Sequence, residues 1–218
     1  MNRRVVIALV AALMVGGVIA TPASAARSSK FSFSVSGPSA DAFWTTFPVD
    51  GEPEAGVVYT DTSVSAADNA VVEGGQAYND KFALVDIFNY KFDHKGNFVF
   101  VSETFGVAGG DDVSFTVGSR LSSASLDATI PVDTCTDKSC APAGTIDVSA
   151  DWTATGGTVR INGTTKVTGP GFTEITKQKG SVRDARATGS IDGSGLGTSV
   201  FADIGDFSFK DTFICHGC

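Results

Sequence analysis

The sequence predicts an all-β, antiparallel fold, a β-sandwich first and a closed β-barrel as the alternative. Three observations carry that expectation. Past residue 25 the chain keeps no methionine and only four leucines, Leu84, Leu121, Leu126 and Leu196, against 16 phenylalanines and 19 valines. Straight-chain residues favour helices, whereas β-branched and aromatic residues fit a pleated, half-buried surface, so the core has to come from strands. Apolar residues also recur at a period of two, and clusters of Gly, Asp, Ser and Pro separate those runs into some ten or more short strands.

Each element follows from its local pattern. "KFSFSVSG" (residues 30–37) puts Phe31, Phe33 and Val35 on one face with serines between them, the period of a half-buried strand. "ALVDIFNYKFDHKGNFVFVSETF" holds two aromatic-rich runs around Asp93-His94-Lys95-Gly96-Asn97, which predicts a hairpin with a glycine-containing loop. Further strands are expected over residues 113–117, 124–132, 145–152, 172–177, 182–191 and 207–213. In "TVRINGTTKV" the pair Asn162-Gly163 matches a two-residue type I′ turn, so a hairpin is expected to reverse there. "GGDD" (109–112) and "DGSGLG" (192–197) read as loops. "SADAFWTT" and "SADWTAT" share Ser-Ala-Asp, a tryptophan and threonines, and over so few residues chance explains the match better than duplication.

The segments "SADAFW", "SASLDATIPV", "DVSADWTATGG" and "GSVRDARATGSI", in that order, resemble recurring segments of a family of secreted β-rich bacterial proteins with no established activity. The resemblance covers most of the chain past residue 25. It implies an envelope or extracellular setting and carries over no functional residue.

The N-terminus points to the same compartment. Met1-Asn2-Arg3-Arg4 is followed by an apolar run to Ala20 and then by Thr21-Pro22-Ala23-Ser24-Ala25, the layout of a signal peptide cleaved after Ala25. The run is roughly 16 residues, where a transmembrane helix needs about 20. Arg3-Arg4 admits twin-arginine export as a weaker alternative. Residues 1–25 are therefore expected to be removed and residues 26–218 to form one secreted domain, with no membrane span. That domain carries 14 basic and 24 acidic residues, a net charge of −10. Such a surface repels phosphate backbones and argues against nucleic acid as a partner.

Four cysteines in a secreted chain, Cys135, Cys140, Cys215 and Cys218, predict disulfides. Local pairing is favoured, because "CTDKSC" is hydrophilic, lies between Pro131 and Pro142, and reads as the tip of a long hairpin. The terminal "FICHGC" then reads as a tied end. Two close pairs with His216 in reserve also resemble a four-ligand zinc site, a reading that secretion demotes. A thioredoxin-like dithiol needs a helix N-terminus that this chain does not offer.

Catalytic constellations are scarce. The two histidines, His94 and His216, lie in a predicted turn and between cysteines, and no Gly-x-Ser-x-Gly elbow accompanies them. Asp86 and Glu103, on partner strands of the predicted hairpin, are the one carboxylate pair that a glycosidase-like hydrolase would use. Asp111-Asp112 and Asp192-Gly193-Ser194 are oxygen-rich enough to suggest calcium, although neither has the D-x-D-x-D-G spacing. Phe43 and Trp44 are the candidate ligand-stacking pair, with burial of Trp44 in a core as the competing reading, and Trp152 is a further tryptophan of the same kind.

No catalytic residue, cofactor or metal site is assigned. The expectation is a secreted, non-enzymatic module that binds a glycan or protein at the cell surface or in the matrix. The alternatives are a small carboxylate hydrolase, and a barrel in which Phe88, Tyr90, Phe98 and Phe100 line a cavity for an apolar ligand. Geometry separates them: a hydrolase should present a concave face with two acids, a module a flat surface or an aromatic strip.

Overall fold

A computed structural model describes residues 28–48 and 51–216. The residues of the expected signal peptide and Cys218 lie outside that range. The described chain forms ten antiparallel strands: β1 (Ser29–Thr45), β2 (Val58–Glu73), β3 (Gln76–Phe92), β4 (Phe98–Gly109), β5 (Val113–Val117), β6 (Ser123–Cys135), β7 (Cys140–Gly169), β8 (Phe172–Ile191), β9 (Ser194–Thr198) and β10 (Phe201–Cys215). Two single 3-10 turns precede β5 and β6.

Hydrogen-bonded order runs β10-β1-β2-β3-β4-β6-β7-β8-β9, with β5 beside β6 and β8 also paired with β10. One layer is thus β10-β1-β2-β3-β4 and the other β5-β6-β7-β8-β9. They join where residues 103–106 of β4 meet residues 132–135 of β6, and where residues 203–215 of β10 meet residues 172–184 of β8. The inner faces pack into one core that draws Ala40, Ala42, Trp44, Val64, Ala83 and Val85 from the first layer and Phe115, Leu126, Ile130, Val148, Trp152 and Ala187 from the second. This is the antiparallel all-β sandwich expected from composition.

Several predicted elements appear with adjusted bounds. The 93–97 loop joins β3 to β4 as expected; the Asp93 carboxylate accepts from the backbone N–H groups of Lys95 and Asn97 at 2.7 and 2.9 Å, and Gly96 takes a positive φ of 78°. The hydrogen bond from the Asn97 side-chain amide at 2.9 Å, and then the two backbone bonds, hold the Asp93 carboxyl below the usual range. "DGSGLG" is not wholly loop, since β9 begins at Ser194.

The Asn162-Gly163 turn is overturned. Both residues continue β7, opposite Lys179 and Gln178. The chain reverses instead at Pro170-Gly171, where proline presets its own φ and Gly171 adopts φ 81°, the pattern of a type II turn. A turn at Asn162 would forfeit every pairing between there and Phe172.

Candidate functional site

Period-two alternation lets the register decide which side chains share a face. In the β10-β1-β2-β3-β4 layer, Ala202 and Ile204, Ala40 and Ala42, Val64 and Ala66, and Ala83 and Val85 point inward. The residues between them point outward. Phe201, Phe43, Ser63, Asp86 and Phe105 form one outward row, and Asp203, Asp41, Ser65, Leu84 and Val107 form the next.

The outward face of this layer is therefore rich in aromatics. Toward the 93–97 hairpin, Tyr90 and Phe98 stack with ring centroids 5.4 Å apart, Phe88 and Phe98 at 6.1 Å, and Phe88 and Phe100 meet at 5.5 Å. Tyr59, Phe47 and Phe92 extend the cluster, in which Tyr59 and Tyr90 are buried. Phe98 is 54% exposed and Phe105 41%. The opposite layer differs: its outward residues on β6 and β7 include Asp127, Thr129, Asp147, Ser149 and Asp151. One broad face is aromatic and the other polar and acidic.

Carboxylates punctuate the aromatic face. Asp86 and Glu103 do lie on it together, on adjacent strands, Asp86 opposite Phe105 and Glu103 opposite Phe88. Burial, and then the charge of Glu103, push the Asp86 carboxyl above its usual range, and Asp86 Oδ1 is buried without a hydrogen-bond partner. Asp61 accepts from Thr45 Oγ1 at 2.5 Å. Asp41 accepts from Ser65 Oγ at 2.5 Å, and burial raises its carboxyl despite that bond.

The predicted stacking pair separates. Phe43 lies on the outward face, beside Phe201. Trp44 points the other way, 4% exposed, and its Nε1 donates to Gly197 O at 3.2 Å. It is a core residue because β1 alternates and Ala40 and Ala42 set the inward parity. Trp152 is also core, 1% exposed, with Nε1 donating across the layers to Asp41 O at 2.9 Å. Phe88, Tyr90, Phe98 and Phe100 occupy outward strand positions, where Tyr90 is buried at 9% exposure and Phe98 is 54% exposed.

Cys135 and Cys140 are bonded, S–S 2.02 Å, across the end of the β6–β7 hairpin. Cys215 is itself disulfide-bonded, whereas the expected partner Cys218 lies outside the described residues. Nearby, His216 N–H donates to Gly171 O at 2.7 Å, which ties the end of β10 to the β7–β8 turn.

The two oxygen-rich loops, far apart in sequence, meet at one groove of about 320 Å³ lined by Asp112, Asp127, Asp147 and Gly193 among others. Asp147 there accepts from Thr129 Oγ1 at 2.7 Å. Among the described residues no group of three or more His, Cys, Asp or Glu side chains is placed to hold a metal ion.

Among the described residues no helix is long and apolar enough to cross a membrane. Comparison with known protein families, with curated proteins and with solved structures found no match to this chain.

Proposed function

We propose that the chain is a secreted, non-enzymatic β-sandwich module that binds a glycan at the cell surface or in the extracellular matrix through its aromatic face. The observation that carries this reading is the outward aromatic cluster whose accessible members are Phe98, 54% exposed, and the half-buried Phe88 stacked on it, with Tyr90, 9% exposed, packed against both. Aromatic rings offer flat apolar area to the C–H faces of sugars, and neighbouring carboxylates accept from their hydroxyls. Excess acid on the same face disfavours polyanionic partners and favours a neutral polymer.

The test is co-sedimentation of residues 26–218 with cell-wall and matrix polysaccharides, followed by Phe98→Ala. Because Phe98 is half exposed, its removal should weaken binding by about 1 kcal/mol and leave the fold intact. Equal retention of wild type and Phe98→Ala on every polymer bound would sink the proposal.

A hydrolase is the second reading, favoured by Asp86 and Glu103 alone. A carboxyl raised by burial beside a second carboxyl is the arrangement of a general acid and its partner. Turnover of a polysaccharide that Glu103→Gln abolishes would establish it; the binding reading expects no turnover and near-unchanged affinity in that variant.

A further inference from the structure

Asp184, Asp203 and Asp41 stand side by side on β8, β10 and β1. Asp203 is the direct register partner of Asp184 on one side and of Asp41 on the other. All three share the outward face, because Ala202 and Ile204 on β10 and Ala40 and Ala42 on β1 take the inward positions. Directly opposed residues in an antiparallel pair hold their Cβ atoms about 5 Å apart, and like charges so placed repel. Three carboxylates in one row are therefore a cost that the fold must offset.

Among the described residues no ion pair offsets it, the single one being Lys81 with Asp68. Arg183, beside Asp184 in sequence, points to the other face, where its guanidinium donates to Gly156 O and Arg120 O. Arg186 lies two residues along β8 from Asp184 on the same face, opposite Thr153 on β7; both side chains are exposed and they form no ion pair. On β10 the flanking outward residues are Phe201 and Gly205, and β2 contributes only the Ser65 hydroxyl, which donates to Asp41. The row sits where β8 pairs with β10, one of the two seams that join the layers.

We propose that this row is a proton-operated clasp: one proton held on Asp203 between its two neighbours keeps the β8–β10 seam closed, and losing that proton loosens the seam. Burial first, then the charges of Asp41 and Asp184, push the Asp203 carboxyl up to about 7. The direction of the pH effect follows. Asp203 binds its proton more tightly when the seam is closed than when it is open, where its carboxyl returns toward 3.8. The stabilising contribution is complete below that lower value and fades as pH rises toward about 7, above which the repulsion is fully expressed. A carboxylate of lowered pKa would act in the opposite sense.

The disturbance has a route inward. Asp41, at the end of the row, also offers its backbone oxygen to Trp152 Nε1 from the other layer. Movement of β1 at Asp41 therefore reaches a buried indole, and Trp152 fluorescence becomes a reporter of a surface titration.

The experiment is amide hydrogen exchange of the mature chain between pH 5 and 8.5, corrected for intrinsic rates, read at residues 182–184 and 203–205. Exchange should accelerate by up to about tenfold per pH unit and level off above the Asp203 titration, while amides in the β6–β7 ladder change little. In Asp203→Asn, which keeps the shape and removes the charge, seam exchange should be slow and flat with pH. If that variant does not fold, Asp184→Asn serves: with one neighbour's charge gone, acceleration should begin at higher protection, and the carboxyl ¹³C titration of Asp203 should move to lower pH. Seam exchange in the wild type that is independent of pH, or an Asp203 carboxyl that titrates in the ordinary carboxylate range, would overturn the clasp. Neither outcome bears on glycan binding.

Discussion

Replacing Trp152 with phenylalanine tests how much a buried side-chain hydrogen bond between the two layers contributes to stability. Trp152 is 1% exposed, and its Nε1 hydrogen bond to Asp41 O, at 2.9 Å, spans from β7 to β1. Because Asp41 is in register with both β2 and β10, the loss is the net value of one hydrogen bond, about 1 kcal/mol, and not the larger penalty of an abandoned carbonyl. The smaller ring leaves a void of roughly 40 Å³, worth about another 1 kcal/mol. Trp152→Phe should therefore cost about 2 kcal/mol. Trp44→Phe is the control: its Nε1 bond is longer, 3.2 Å, and ends on the exposed Gly197, where water can replace it, so about 1 kcal/mol is expected. Urea unfolding of each variant, followed by the fluorescence of the remaining tryptophan, measures both. A Trp152→Phe cost below that of Trp44→Phe would refute the idea that the buried Trp152 bond contributes more than the solvent-facing Trp44 bond to holding the sandwich shut.

Further outcomes follow from particular contacts. Gly106 sits at the β4–β6 seam, where an added Cβ would lie 2.1 Å from Pro131 O and 2.8 Å from Val132 Cγ1; Gly106→Ala should lower stability by about 3 kcal/mol, and a neutral thermal midpoint would mean those strands are not so close. Removing the short disulfide with Cys135→Ser and Cys140→Ser together should cost about 2 kcal/mol and leave the far-ultraviolet dichroism unchanged, because β6 and β7 remain paired from Ser123 to Thr134; loss of the β signal would contradict this.

The fold was legible because strand composition and period do not depend on long-range placement. Val113–Val117 emerges with its expected bounds, and the "CTDKSC" tip closes the β6–β7 hairpin by a local bond that its spacing permits. Asn162-Gly163 misled because a local turn preference is worth about 1 kcal/mol at most, whereas the β7–β8 ladder on either side contributes many pairings. Which face of a strand is buried was not legible. In "FALVDIFNY", Ala83, Val85 and Ile87 alternate with Phe82, Leu84, Phe88 and Tyr90, so both faces are apolar and period two alone does not choose between them. The carboxylate row was invisible for a different reason: Asp41 lies far in sequence from Asp184 and Asp203, and only the closing of β10 against both β1 and β8 aligns them.

The choice between those two apolar faces explains why the aromatic one is left outside. Among the described residues ten positions of the buried core cluster are alanine, from Ala40 and Ala42 on β1 to Ala202 on β10, and Phe115 is its only phenylalanine. Small residues on facing strands leave room for two large ones, and Trp44 and Trp152 take it from opposite layers, each with a carbonyl within reach of its indole nitrogen. Close-packed interiors do not accommodate further rings without strain, so the remaining phenylalanines are displaced to the outward face. There they remain partly hydrated, and an apolar surface held open in that way is a standing cost unless something covers it. Serines and carboxylates interleaved along the same strands, Ser63, Ser65, Asp61 and Asp86, limit dry self-association and at the same time supply acceptors beside the rings. A surface that alternates flat apolar patches with hydrogen-bond acceptors suits a partner with the same alternation, and a neutral polysaccharide, with its C–H faces and hydroxyl edges, has it.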